Sequence, residues 1–231
     1  MTEGGAAPLL ATSDTGLAEA VAPGQGVGSR WWAGWRRPSS SVPLGIAVVF
    51  FVVGAGQIFT AWHPVGDYAV SELILRHTGR AIPLSGAYSA QRNYNHPLPW
   101  AAAMQWLPYW LSGQRSTAVL AASVWWNGAC LAGLAWLLAR RRALGLLLAA
   151  LVALTGMVIL GDHTVLLLPW NPNLALVAGL AFMFVTWRVA VGERWLLPVS
   201  AGLGLWCGGA HLGLVPLVAG VGAVAGCSLV V

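Results

Sequence analysis

Residues 97–142, PLPWAAAMQWLPYWLSGQRSTAVLAASVWWNGACLAGLAWLLARRR, decide how the chain is arranged. They hold two apolar stretches, and the second ends on Arg140, Arg141 and Arg142. A helix needs about 20 apolar residues to cross a bilayer core. Thr117 to Ala139 has that length, whereas Pro97 to Gly113 has only about 14 apolar or aromatic residues, interrupted by Pro108. If the first stretch crossed, the second would deliver three arginines to the outside, against the preference of basic residues for the cytoplasmic side. If it lies along the outer interface, the arginines end inside. Its Trp100, Trp106, Tyr109 and Trp110 suit that position, because amphipathic rings settle at headgroup level.

The whole composition agrees. The 231 residues are 58% hydrophobic and 8% charged, with a mean hydropathy of +0.71; soluble domains are about 25% charged. All 12 basic residues are arginines, and Ala and Gly are abundant, a usage that suits a GC-rich bacterial genome. The net charge of +5 comes from arginines beside apolar spans, so topology accounts for it and no nucleic-acid partner is expected. Cys130, Cys207 and Cys227 all lie in apolar sequence without CxxC spacing, which supports neither a disulfide framework nor a structural zinc site.

Residues 1–29 are small and polar, with too little apolar content to build a core, and residues 1–40 read as a disordered cytoplasmic tail. Arg30, Arg36 and Arg37 then precede VPLGIAVVFFVVGAGQIFTAW, an uncleaved signal-anchor that leaves the N-terminus in the cytoplasm. Leu144 to Leu160 returns outward to a short turn, Gly161-Asp162-His163, and Leu174 to Val191 goes back in towards Arg188, Glu193 and Arg194. The run from Leu196 has room for one span with an interfacial piece or for two short spans. The fold expected is therefore all-α. It is a polytopic transmembrane helix bundle of five or six spans over 41–231, with a long first extracytoplasmic loop at 63–115 carrying juxtamembrane helices. The expected location is the bacterial cytoplasmic membrane. The chain stops at Val231 within apolar sequence, as a fragment of a longer protein would.

On this topology the acids outside the tail and the inner Glu193 are Asp67, Glu72 and Asp162, all on the outer face with His63, His77, His96 and His163. A helix is predicted over Tyr68 to His77, stopped by Gly79. Asp67 is either its N-cap, or a carboxylate that takes a proton from a hydroxyl or holds a divalent cation. Glu72 stands four residues before Arg76, the favourable order for a helical ion pair. Arg92 stands beside Tyr88, Asn93, Tyr94, Asn95 and His96, where a guanidinium can clamp a phosphate while aromatic and amide groups contact a sugar; an ordinary polar loop is the other reading. His96 precedes Pro97 and is expected to be extended. His63 and Asp67 with Asp162 and His163 form a mixed N and O set of the kind metals use. His211, inside an apolar run, reads as a packing residue more readily than a ligand.

The order of an N-terminal anchor, GDYAVSEL at 66–73, GAYSAQRNYNHPLPW at 86–100, an interfacial helix, PWNPN at 169–173 and AHLGLVP at 210–216 resembles the GT-C superfamily of integral-membrane glycosyltransferases. It looks most like the actinobacterial branch that includes arabinofuranosyltransferase-like proteins. The resemblance implies transfer of a sugar from a polyprenyl-phosphate donor to a glycan or lipid-linked acceptor hydroxyl during cell-envelope synthesis. It makes Asp67 the catalytic base or cation ligand and Asp162 its assistant. Arg92, His96, Tyr88, Tyr94 and Asn95 would bind substrate. A divalent cation, Mg or Mn, would be held by Asp67, Asp162 and His163. The chain departs from the family pattern at Ser89-Ala90-Gln91-Arg92 and at His96-Pro97-Leu98-Pro99, where Ser-Arg and His-Pro-Gly-Pro are familiar. It also lacks the additional spans and soluble outer domain of many members. The rivals are a non-catalytic transport or lipid-binding membrane protein, whose arginines recognise an anionic headgroup, and an inactive truncated paralogue. No duplication of the kind transporters carry is visible.

Overall fold

The computed structural model describes residues 41–231 except 79, 82, 87, 90–92, 97, 141–143, 162 and 231; the expected tail at 1–40 lies outside the described residues. The protein is mostly helical, with eight α-helices among the described residues. They are α1 (Ser41–Gln57), α2 (Asp67–Thr78), α3 (Trp100–Leu111), α4 (Thr117–Arg140), α5 (Leu144–Gly161), α6 (Asn171–Ala190), α7 (Leu197–Ala210) and α8 (Val215–Val230). The one strand pairing described is β1 (Tyr88–Ser89) with β2 (Tyr94–Asn95), antiparallel, in register Tyr88 to Asn95 and Ser89 to Tyr94. Three helical stretches are long and apolar enough to cross a membrane: Thr117–Arg140, Asn171–Ala190 and Leu212–Leu229. Ser41–Gln57 and Ala149–Leu160 are apolar but shorter.

The sequence reading took the first apolar run as about 20 residues, whereas α1 has 17 and ends at Gln57. There Ile58, Phe59 and Thr60 donate to carbonyls three residues back, and the Thr60 hydroxyl bonds the Gln57 carbonyl at 2.8 Å, so the helix closes in a tight turn. Glycines let α1 approach α4 closely. A Cβ on Gly54 would lie 2.3 Å from Trp125 Nε1, and one on Gly128 would lie 2.3 Å from Phe50 Cβ. Phe51 and Trp125 stack at 5.8 Å, and the Trp125 indole donates to the Phe51 carbonyl.

The core lies between α4, α6 and α7, built from Cys130, Leu131, Leu174, Ala178, Phe182 and Cys207 with their neighbours. Trp126 and Trp206 pack at 4.0 Å, and both indole N–H groups donate to the Leu174 carbonyl, which satisfies two inward-facing donors with one acceptor. Thr186 and Ser200 share a 2.6 Å hydrogen bond between α6 and α7.

Contacts along the helices give their directions. Asn127 reaches the Leu166 carbonyl near one end, while Leu137, Val185, Val189 and Leu196 cluster near the other with Leu229 beside them. Thus α4 and α6 run the same way, α7 returns, and α8 runs back beside it. The last apolar run is therefore two antiparallel helices. Gly208 and Gly209 weaken α7 at its end, His211 takes an extended conformation (φ −146°, ψ 114°), and Pro216 enters the first turn of α8. Both ends of α3 lie at the end of the bundle where α4 begins. Leu98 N–H meets the Gly209 carbonyl at 3.4 Å, and Thr117 bonds the Ile58 carbonyl at 2.8 Å. At the opposite end, Arg188 pairs with Glu193.

Candidate functional site

Gly66 has φ +56°, a left-handed conformation that glycine adopts without strain, and its carbonyl accepts from Val70 N–H to open α2. Gly66 is thus the capping residue and Asp67 the first residue of the helix. The N-cap reading of Asp67 is corrected for that reason: the chain reverses one residue earlier than the sequence suggested. The Asp67 carboxylate is exposed in the first turn, where negative charge complements the helix dipole.

Glu72, on another face of α2, is 4% exposed. Its Oε1 accepts from Arg76 Nη2 at 2.7 Å, Arg76 Nε at 3.2 Å and the Tyr109 hydroxyl at 3.0 Å, so the expected ion pair forms and ties α2 to α3. Burial alone would raise this carboxyl, but hydrogen bonds from Ser116, Arg76 and Tyr109 and the Arg76 charge together hold it below its ordinary value.

The loop after α2 carries the strand pairing, extended by a bond from Gly86 N–H to the His96 carbonyl at 2.8 Å. Tyr94 meets the His96 ring edge-on at 5.6 Å, and His96 faces His211 at 5.7 Å. His96 Nδ1 is buried and unpartnered among the described residues. Burial and the neighbouring His211 push this imidazole below its ordinary value; Asp67 pulls the other way without prevailing. The cluster thus brings Tyr94, His96 and His211 together at one end of the bundle, around an imidazole that favours its neutral form.

Next to it a cavity of about 20 Å³ is lined by Ser71, Gly86, Leu98, Gln105, Asn171 and Ala210 among others. Gln105 and Asn171 are buried, and Gln105 Nε2 has no partner among the described residues. Sequence reasoning missed both. The signal was there: Gln105 is the one strongly polar residue in WAAAMQWLPYWL, and Asn171 sits in the PWNPN motif at the start of α6.

Asp162 and Arg92 lie outside the described residues, and for Tyr88 and His163 only the backbone is described. Asn95 is exposed in β2, and His63 is exposed before α2. Among the described residues no three His, Cys, Asp or Glu side chains converge as a metal site. In comparisons with known proteins, no family model, no curated protein and no solved structure matches the chain.

Proposed function

We propose that the chain is a membrane glycosyltransferase, or part of one, that moves a sugar from a polyprenyl-phosphate donor to an acceptor hydroxyl outside the cytoplasmic membrane. The observation that supports this reading is the approach of His96, on the loop after α2, to His211 from the far end of the sequence, at the bundle end where α2 and α3 lie. On this reading five or six spans cross the bilayer, the N-terminus and Arg140, Arg188 and Arg194 are cytoplasmic, and the cluster faces outward.

Asp67 accepts the proton of the acceptor hydroxyl as its oxygen attacks the anomeric carbon, and the bond from that carbon to the phosphate oxygen breaks. Asp162 assists. Arg92 and His96 hold the donor phosphate, and Tyr88, Tyr94 and Asn95 surround the sugar. Asp67, Asp162 and His163 would hold a divalent cation, Mg or Mn, which would offset the charge of the donor phosphate.

The test is sugar transfer from polyprenyl-phosphate arabinose, mannose and glucose in membranes holding equal amounts of the protein or its Asp67→Asn variant. Transfer that disappears in the variant supports the reading. Undiminished transfer in the variant removes Asp67 from it, and absence of transfer in both, repeated with any downstream coding sequence restored, turns the reading towards a non-catalytic protein.

A further inference from the structure

A second cleft, of about 430 Å³, opens between α2 and α3 and shares no lining residue with the cluster around His96. Its charge comes from Arg76 and Arg80. Arg76 is held in place by Glu72 and Tyr109 through Nε and Nη2, which leaves Nη1 without a partner among the described residues. Arg80 is exposed, and no described residue bonds its side chain. His77 also lines the cleft; its Nδ1 donates to the Leu73 carbonyl at 2.8 Å, which leaves Nε2 of the neutral ring as an acceptor for a headgroup hydroxyl. The opposite wall is aromatic, with Trp106 and Trp110 stacked at 6.3 Å and Trp110 exposed.

Two features separate a lipid from a free anion here. His77 also lines an adjoining groove of about 370 Å³ whose other walls are Val70, Leu73, Ile74, Ala81 and Pro83, so a basic compartment continues into an apolar one. Exposed Leu73, Leu107, Trp110 and Leu111 surround the same helices, the character of a surface resting at headgroup depth. Guanidinium groups match phosphate geometry, and Glu72, the carboxylate bonded to Arg76 among the described residues, is already engaged by it.

We propose that this cleft binds the phosphate-bearing headgroup of an anionic membrane phospholipid, with an acyl chain along the adjoining groove. The proposal is independent of glycosyl transfer. It makes α2 and α3 a lipid-anchored platform, and the Glu72–Arg76–Tyr109 network fixes one of the two arginines before the lipid arrives.

The test is native mass spectrometry of the full chain in detergent, titrated with phosphatidylglycerol, phosphatidylcholine or inorganic phosphate. Phosphatidylglycerol is expected to bind more tightly than phosphatidylcholine, whose ammonium offsets its phosphate, and Arg80→Gln to weaken phosphatidylglycerol about fivefold and phosphatidylcholine less. Arg80 makes no side-chain bond to a described residue, so this variant keeps the fold, which its unfolding midpoint checks. Equal binding of the two lipids, unchanged phosphatidylglycerol affinity in an Arg80→Gln, Trp110→Ala double variant, or displacement by inorganic phosphate would overturn the proposal.

Discussion

The His96 imidazole faces that of His211 at 5.7 Å, with the ring planes tilted by 34°. One ring stands on the loop after α2 and the other at the break between α7 and α8, so the pair reports whether loop and bundle are docked. Two imidazoles at that distance cannot both take a proton without repulsion.

Acid should therefore loosen the protein through His96. Its folded value lies below the ordinary 6.5. Below about pH 6.5 the unfolded chain takes up a proton that the folded chain refuses, so stability is full above that pH and is lost as pH falls through the folded value. The slope for one proton is at most about 1.4 kcal/mol per pH unit. The unfolding midpoint in detergent between pH 7.5 and 5 should fall less steeply in His96→Asn than in the parent. Parallel curves would contradict this.

Glu72 titrates in a separate, more acidic window. Its carboxyl is held below the ordinary 4.5, so its contribution is present above that pH and is lost as pH falls through the folded value. Glu72→Gln should cost about 1–2 kcal/mol at neutral pH, below the figure for a fully buried pair because Arg76 is 56% exposed. Thermal unfolding of the variant, with Tyr109→Phe as a partner in a double-mutant cycle, checks whether the three groups act together.

Much of this architecture was legible because apolar run length and arginine position are local properties. The helices after Thr117 and Leu174 follow from them, and the 68–77 helix and the Glu72–Arg76 pair follow from terminus signals and four-residue spacing, which are equally local. The first helix is shorter than its apolar run, because the turn at Gln57 to Thr60 depends on hydrogen bonds that hydropathy does not register. The His96–His211 pair was not legible at all. It depends on Leu98 seating against Gly209, a contact between distant segments, and no spacing in the sequence encodes which loop meets which helix end. The basic cleft was missed for a related reason: Arg76 was read only as the partner of Glu72, and no spacing places Trp106 and Trp110 opposite it.

Docking of α1 on α4 should depend on the absence of side chains at Gly54 and Gly128. Gly128→Leu would drive atoms into Phe50, whose Cβ and Cγ already lie 2.3 and 2.6 Å from an added Cβ. Overpacking of this kind costs about 1–3 kcal/mol. The unfolding midpoint should fall, and protease should reach α1 sooner. Gly133→Leu on the same helix, where an added Cβ meets nothing within 4 Å, should keep the midpoint at or above the parent's and leave protease access unchanged.

Gly209 offers the sharpest separation of site from scaffold. An added Cβ there would lie 2.7 Å from Leu98 Cδ1 and 2.8 Å from both Leu98 Cβ and Trp100 Cδ1. Leu98 Cβ is fixed to the backbone, so the loop must shift, and His96, two residues earlier, must shift with it. Gly202 stands on the same helix in open space. Replacing a helical glycine by alanine there should stabilise by about 0.5–1 kcal/mol, because alanine has less backbone freedom to lose. Gly209→Ala should instead destabilise by about 1–3 kcal/mol. On the proposed reading it should also reduce sugar transfer by more than the lost folded fraction explains, whereas Gly202→Ala should transfer at the parent rate. Equal midpoints for the two variants would show that the loop yields freely at Leu98. An unchanged transfer rate in Gly209→Ala would detach the chemistry from the docked position of His96.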